Sequence, residues 1–572
     1  MTADPLDHPD ALRVGTAAAT ETLLRCYVRE TGVTVPADGA LALNLPASGL
    51  TLDVPVLHRS ATGWHRFGEP LLHDCPADPA LVAAALVREA TVRLRLPPHR
   101  GLDAVARVVN SAQRVATHVA ARRAAPNDPA GTSPFLAAEQ ALLLGHPFHP
   151  TPKSREGASE AELAAYSPEL RGGTPLHWFA AHRSVLAGDT ALGVSGDSAL
   201  GASAAELVGR LYDGPLPVEF VAVPAHPWQA RDVVGRPGVH ALLDAGLLRD
   251  LGPAGPDWYP TSSVRTLYRP DADVMLKLSL GLRITNSRRN NLRSELDLGV
   301  RVARLLAVGL QDRLAATHPA FGIVRDSAWI SIDAPGGAET GLETAIRENP
   351  FGRDDRVACV AGLVAERPGL GPSRLAELVG GIARRTGRST ADVGAEWFAR
   401  YLDVLATPLL WLYTEWGLAL EAHQQNTVVR LGADGWPDGA WYRDSQGYYV
   451  RKSHVDAVRM LWPGIDEGAP IVFDDALTDE RVIYYLAVNN LFGLIGAFGS
   501  QQLADERVLL GVLRGALARS PAARVVELLL DAPTLRCKAN YLTCVDGRDE
   551  LIGDVATQSV YVEIPNPLRE VV

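Results

Sequence analysis

Leucines and a valine fall at helical spacing from Ala11 to Glu30, so the chain opens on a predicted helix. Short strands and turns follow over 40–72, then helices rich in Ala, Val and Arg over 80–123. The stretch Ala124 to Pro134 reads as a loop from its density of Pro, Gly, Asn and Asp, and a short helix follows from Phe135 to Leu144. Residues 174–213 are mixed and mostly helical in pattern, Val218 to Val223 is an apolar strand, and Gly252 to Pro260 reads as a glycine- and proline-rich loop. Val274 to Leu280 alternates as a strand does. A long amphipathic helix is expected after it, with Leu292, Leu296, Val300 and Leu305 on one face.

Gly322 to Ile332 forms another candidate strand, and Asp333 to Glu339 a turn-rich loop. Helices are predicted over Arg374 to Arg388 and over Ala391 to Glu421, the latter broken near Pro408. A strand at 427–431, a glycine-rich turn from Gly432 to Gly439 and a second strand within Trp441 to Val450 come next. The chain closes with helices over 481–500, 503–518 and 521–530 and an irregular tail that holds Lys538 and Asn540. The apolar run Val482 to Phe498 contains Asn489, Asn490, Gly493 and Gly496, which fits a buried core helix better than a membrane span.

A chain of 572 residues is too long for one core, so about three subdomains are expected. The net charge of −11 argues against nucleic acid as a partner, and basic residues gathered in one stretch therefore point to a small anionic ligand. None of the five cysteines forms a CxxC pair, which suits a reducing cytoplasm and gives no zinc ribbon. The acidic start MTADPLDHPDAL has no apolar core of a signal peptide, so a cytoplasmic location is expected.

The candidate chemistry is densest from Thr261 to Arg289. It begins with the hydroxyls Thr261, Ser262, Ser263 and Thr266 around Arg265 and continues through a strand carrying Lys277. It ends in Thr285, Asn286 and Ser287, possible helix caps, followed at once by Arg288 and Arg289. Hydroxyls, a lysine, paired arginines and a helix start suit a polyphosphate or polycarboxylate; a solvated basic turn is the plainer reading.

Upstream, two His-Pro pairs in GHPFHPTPKSREG hold His146 and His149 in extended backbone, ahead of Lys153 and Arg155. A stiff surface loop explains one such pair; two with both cations behind them favour a site. No third ligand at metal spacing supports zinc there. A third His-Pro, at His226, is explained as well by a turn that ends a strand. Downstream, Glu421, His423, Gln425 and Asn426 gather where a helix hands over to a strand, with Arg443 and Asp444 a hairpin away. Such a group is either an internal hydrogen-bond network or a ligand site. The chain carries no GxGxxG after a strand, no GxxxxGK[ST], no GxSxG and no HExxH.

The ordered set HPFHPTPK, HPWQ, TSSVRT, KL, ITNSRR, EAHQQN and RD, between residues 146 and 444, resembles the siderophore synthetases that work without a non-ribosomal peptide synthetase, the aerobactin-synthetase-like family. The resemblance implies an α+β fold shaped as a cupped hand: a thumb at 1–160, fingers at 161–375 and a mostly helical palm at 376–572. It implies adenylation of citrate, or of a citrate or dicarboxylate derivative, by ATP with Mg2+. Condensation with an amine or hydroxyl to an amide or ester follows, releasing AMP and pyrophosphate. The family divides by acid among citrate, 2-oxoglutarate-type acids and monoacylated substrates, and the motifs leave that choice open. Ser263, Arg265, Thr266 and Lys277 match triphosphate positions, and Thr285 and Arg289 lie near the reacting carboxylate and phosphate. His423 and Gln425 match the HxQ of the palm, with His423 at the α-phosphate or the acid and Gln425 at ATP. Asp444 is the candidate for nucleotide or magnesium contact, His149 and Lys153 for the triphosphate or the acid, and Arg155 and Glu421 for the acid. Glu421 and His423 are also candidates for the base of the second step. A homodimer in the cytoplasm, with no nucleic-acid or membrane partner, completes the expectation. The alternatives are a ligase of the same chemistry for another carboxylate metabolite and a non-catalytic citrate- or siderophore-binding protein.

Overall fold

A computed structural model describes residues 4–191, 203–337, 339–444, 446–468, 470–521, 523–550 and 557–570. The helix Ala11–Thr31 starts where the Asp10 side chain accepts the Leu12 N–H and stops at Gly32, whose φ of 76° suits a residue without Cβ. It lies along the helix Leu102–Ala124. Gly15 makes that contact possible, since a Cβ there would stand 2.3 Å from Ala112 O. A five-stranded antiparallel sheet within residues 40–76 and the helix Pro79–Arg93, capped by Asp78, complete this part.

The middle of the chain forms an eight-stranded antiparallel sheet. Its strand order is Leu186–Thr190, Asp326–Ile332, Thr344–Glu348, Val274–Leu278, Thr266–Tyr268, Leu248–Pro260, Thr174–His182 and Phe220–Ala225. Lys277 sits on a central strand, opposite Thr266 on one side and Ala345 on the other. Leu176 through Ile346 build a separate apolar core around this sheet. Leu23 through Phe148 and Leu298 through Leu568, joined by Tyr268 and Met275, share another. The chain's beginning and end are thus packed as one body, and the eight-stranded sheet is inserted between them.

Several elements differ from the pattern-based expectation. Thr174–His182 and Leu186–Thr190 are strands joined by one 3-10 turn, Arg183–Val185, and both faces of Thr174–His182 are largely covered, so it lacks polar alternation. The following residues 192–202 lie outside the described residues. The supposed loop at Gly252 to Pro260 is part of a strand whose glycines fall at two irregularities of register. Thr285 to Ser287 cap no helix. They turn a hairpin between Leu280–Ile284 and Ser287–Arg289, and the helix Arg293–Leu305 starts later. The tail is ordered as a strand pair, Thr534–Lys538 with Tyr561–Pro565, and a helix, Asn540–Asp546.

The last third is mostly helical around two small sheets. Phe321–Val324, Pro437–Arg443, Thr427–Leu431 and Val357–Cys359 form one; Leu418–Leu420, Tyr448–Arg451 and Val472–Phe473 form the other. The helical run 390–416 continues through 402–406 by a wide turn just before Pro408, which tolerates the missing N–H. Asp475–Ser500 is apolar and long enough to cross a membrane, but 89 % of its most apolar stretch is buried inside the protein, which makes it a core helix.

Candidate active site

Three turns meet around a cavity of about 890 Å³: residues 261–266, 284–289 and 421–426. The first turn is closed by Thr261 N–H to Thr266 O at 2.9 Å and by Ser263 Oγ, which accepts the Thr266 N–H at 3.1 Å. It forces Val264 to φ 67°, and the second turn forces Thr285 to φ 57°. Left-handed backbone at β-branched residues costs about 1–3 kcal/mol each and persists where the surroundings over-determine it. Both turns are held from outside. Glu139 Oε2 accepts the Ser262 N–H at 2.8 Å and its hydroxyl at 2.7 Å. Arg107, buried on the helix Leu102–Ala124, donates to Thr285 O at 3.3 Å and Asn286 Oδ1 at 3.0 Å.

The cationic residues of the wall fall into two groups. Lys153 and Arg155 both face Glu169; the Arg155 contact is 2.7 Å and Arg155 also donates to Ser167 Oγ at 2.6 Å. Burial favours a neutral Glu169, yet Arg155 and Lys153 outweigh it and hold the carboxyl well below its usual range. Arg443 meets Glu139 at 2.5 Å, Arg347 meets Asp326 at 2.6 Å, and Lys277 meets Asp444 at 3.1 Å. Arg265 and Arg289 differ. Among the described residues neither has a carboxylate within ion-pair distance. Arg265 donates to Arg289 O and Asn291 Oδ1, each at 2.9 Å, and Arg289 donates to Thr285 Oγ1 at 3.3 Å. Burial pulls Arg265 down to about 10, which leaves it a cation at neutral pH, and burial lowers Arg289 as well. Arg289 is enclosed by protein but half-exposed, with its accessible surface on the cavity.

The histidines share one device. His149 Nδ1 accepts the Thr151 N–H at 3.1 Å, His146 Nδ1 accepts that of Phe148 at 3.0 Å and His423 Nδ1 accepts that of Asn426 at 3.3 Å. An accepting Nδ1 assigns the ring proton to Nε2. Burial keeps these rings neutral, taking His146 and His149 down to about 3 and His423 to about 4. His149 Nε2 is buried with no protein partner, and its residue lines the cavity. His226 uses the same bond to cap the helix Pro227–Val233 and does not reach the cavity. His146 contacts the Asn489 side chain at 2.9 Å.

Gln425 Nε2 donates to Ser262 Oγ at 3.2 Å, and Asn426 Nδ2 to Asp444 Oδ2 at 3.3 Å, so the third turn is tied to the other two. Glu421 accepts the Tyr449 hydroxyl, and burial raises its carboxyl above the ordinary value. The structure thus gathers Ser263, Arg265, Thr266, Lys277, Thr285, Arg289, Glu421, His423, Gln425 and Asp444 on one cavity, together with His149, Lys153 and Arg155. The sequence reading missed Glu139, Asn291 and Arg107 and gave no part to the tyrosines. A lone glutamate in the apolar run FLAAEQALLLG was the one available signal.

The model of the IucA / IucC family matches residues 134–365, and one described as ferric iron reductase FhuF-like transporter matches 395–553. The rhizobactin siderophore biosynthesis protein RhbC of Rhizobium meliloti is 39% identical over 543 residues, 92% of each chain. The spermidine-citrate ligase of Bacillus anthracis is 35% identical over 98% of this chain and 99% of its own. Among solved structures, ATP-bound aerobactin synthetase IucA from a hypervirulent pathotype of Klebsiella pneumoniae gives a TM-score of 0.85 at 28% identity, covering 96% of this chain and 99% of that one. The chain belongs to the IucA / IucC family of siderophore synthetases and is an enzyme of the ligase class.

Proposed function

We propose that this enzyme uses ATP to adenylate citrate or a citrate derivative and then condenses the acyl-adenylate with an amine, releasing pyrophosphate and AMP. The observation that carries the reading is the pair of enclosed guanidiniums, Arg265 and Arg289, with no carboxylate partner among the described residues, on a cavity shared with Lys277 and His423. Removing a cation from water without a counter-ion is unfavourable, and an anionic substrate supplies the missing charge.

Attack of a carboxylate on the α-phosphorus needs two anions held together and charge drawn from the phosphoryl oxygens. Arg289, steadied by the Thr285 hydroxyl, receives the acid. Arg265, Lys277 and the hydroxyls of Ser263 and Thr266 take the triphosphate, with Gln425 alongside. His423 and His149 add neutral Nε2–H donors, which can bond a developing oxyanion and take no proton from it. Lys153 and Arg155 share the one Glu169 carboxylate and line the same cavity.

Among the described residues no group of three or more His, Cys, Asp or Glu could hold a metal, so a resident all-protein site does not fit. A single carboxylate does fit a magnesium ion that arrives with the nucleotide and takes most of its ligands from phosphate and water. Asp444 would hold that ion, which would withdraw charge from the phosphate oxygens, while Asn426 orients the carboxylate.

The hand-like division into 1–160, 161–375 and 376–572, the homodimer and the cytoplasmic location remain part of this proposal; the family match and the structural likeness support it. Citrate and an amine are favoured as substrates because the Bacillus anthracis relative is named a spermidine-citrate ligase. The test is citrate-dependent exchange of pyrophosphate into ATP, with nucleotide products separated after turnover. Exchange and AMP are expected; ADP and phosphate would overturn the adenylate.

A further inference from the structure

A cavity that joins an acid to an amine must also hold the amine, and the carboxylates on its wall can be taken in turn. Asp444 is paired with Lys277 at 3.1 Å, and Glu550 with Lys538 at 3.0 Å. Glu21 and Glu366 share Arg66, at 3.0 and 3.1 Å. Glu295 accepts the Leu292 N–H at the start of its own helix and the Gln446 amide. Glu421 is the remaining one. Among the described residues no cation lies within ion-pair distance of it, and its carboxylate accepts the Tyr449 hydroxyl.

The surroundings of Glu421 suit a cation. Tyr449 packs on Phe473 with ring centroids 5.4 Å apart, and Tyr485 lies 5.9 Å from the His423 ring and 4.9 Å from Tyr484. All line the cavity. Aromatic faces attract an ammonium group, and a carboxylate at their edge fixes it. The charged groups that face Glu421 from other elements are Asp444, Lys538 and Arg481. The two cations are already engaged: Lys538 with Glu550, and Arg481 with Glu480 at 3.4 Å and the Tyr561 ring at 5.0 Å. Two residues along the chain, His423 marks the proposed reacting centre.

We propose that Glu421, walled by Tyr449 and Tyr485, binds the ammonium group of a primary aliphatic amine substrate and removes its proton for attack on the acyl-adenylate. This rests on the adenylating reading above. The ammonium gives one proton to the Glu421 carboxylate. The freed lone pair forms the N–C bond, the C–O bond to the phosphate breaks with its electrons on AMP, and the second N–H proton passes to water. An aliphatic ammonium ion titrates near 10, so a base is required at neutral pH; burial makes Glu421 a stronger base than an exposed glutamate.

The experiment compares Glu421→Gln with wild type in three assays: citrate-dependent pyrophosphate exchange, hydroxamate formation with hydroxylamine, and amide formation with spermidine. Hydroxylamine is largely neutral at neutral pH and needs no base. In the variant, exchange and hydroxamate formation serve as the reference, so that any part Glu421 has in holding the acid cancels. Relative to them, amide formation should fall by about 100-fold and recover as rising pH deprotonates the amine itself. Retained exchange also shows that the variant is folded. Equal loss of hydroxamate and amide, or loss of exchange with them, overturns the assignment, as does unchanged amide formation. Tyr449→Phe gives a second reading: it frees the carboxylate of its hydroxyl partner and should shift the pH profile of amide formation alone, and an unmoved profile counts against the proposal. Wild-type protein that shows no acid-dependent exchange would sink the adenylate itself, a result separate from these.

Discussion

Glu139 and Arg443, 304 residues apart in the chain, meet at 2.5 Å with the Glu139 carboxylate fully buried. The other Glu139 oxygen holds the Ser262 backbone and hydroxyl, so one carboxylate ties the hydroxyl turn of the middle segment to the hairpin that carries Asp444. Removing one partner of a buried pair leaves the other charge uncompensated. Glu139→Ala is therefore expected to lower the unfolding free energy by about 3–5 kcal/mol. Chemical denaturation of both single variants and of the double variant with Arg443→Met checks this. The double variant should be less destabilised than the sum, because it removes the stranded cation.

Arg289 predicts the opposite sign for stability. Among the described residues its guanidinium makes one hydrogen bond, to Thr285, and has no carboxylate partner. Arg289→Met should leave the unfolding midpoint unchanged or raise it, while acid-dependent pyrophosphate exchange falls by about 100-fold or more. A large loss of stability in this variant would mean that Arg289 holds the fold and not the acid.

Thr285 gives a third test. Its left-handed backbone disfavours a β-branched residue by about 1–2 kcal/mol relative to glycine, whose greater unfolded freedom takes back a similar amount. Thr285→Gly should therefore unfold at nearly the wild-type denaturant concentration. It removes the hydroxyl that Arg289 donates to, and so the apparent KM for the acid should rise by about tenfold. Steady-state kinetics over a citrate series reads that change.

What the sequence made legible follows from range. Motifs whose members lie within a few residues, such as TSSVRT and EAHQQN, were readable because their turn chemistry is local, and the structure does turn there. The helix Ala11–Thr31 was readable from its periodicity, and helices were also expected where Leu102–Ala124 and Arg374–Thr386 lie. The strand Thr174–His182 was not, since a strand covered on both faces has no alternation to find. Charge balance was equally hidden. Nothing near Lys153 or Arg155 in sequence announces that Glu169 meets both, and nothing near Arg289 says that no carboxylate among the described residues does; these depend on pairings set by the tertiary fold.

The buried histidines predict how the protein responds to acid. His65, His118, His146, His149 and His226 are held down to about 3 and His423 to about 4, each chiefly by burial. In the unfolded chain a histidine takes its proton near pH 6.5, so below that value the unfolded state binds more protons than the folded one. The contribution of these rings is therefore fully present above about pH 6.5 and is lost as pH falls toward their folded values. Glu30 works in the other sense: burial raises it to about 8, and its contribution declines as pH rises from the ordinary carboxylate range toward that value. Each of the six rings should draw the urea midpoint down on acidification below about pH 6.5, against the opposing slope of Glu30 and of the other carboxyls that burial raises, Glu295, Asp297, Glu339, Glu366, Glu421 and Asp479. His226→Asn isolates one ring away from the cavity. Asparagine can accept the Trp228 N–H in place of Nδ1 but does not titrate, so this variant should retain activity near neutrality and show a shallower acid slope. An unchanged slope would show that His226 is protonated in the folded protein.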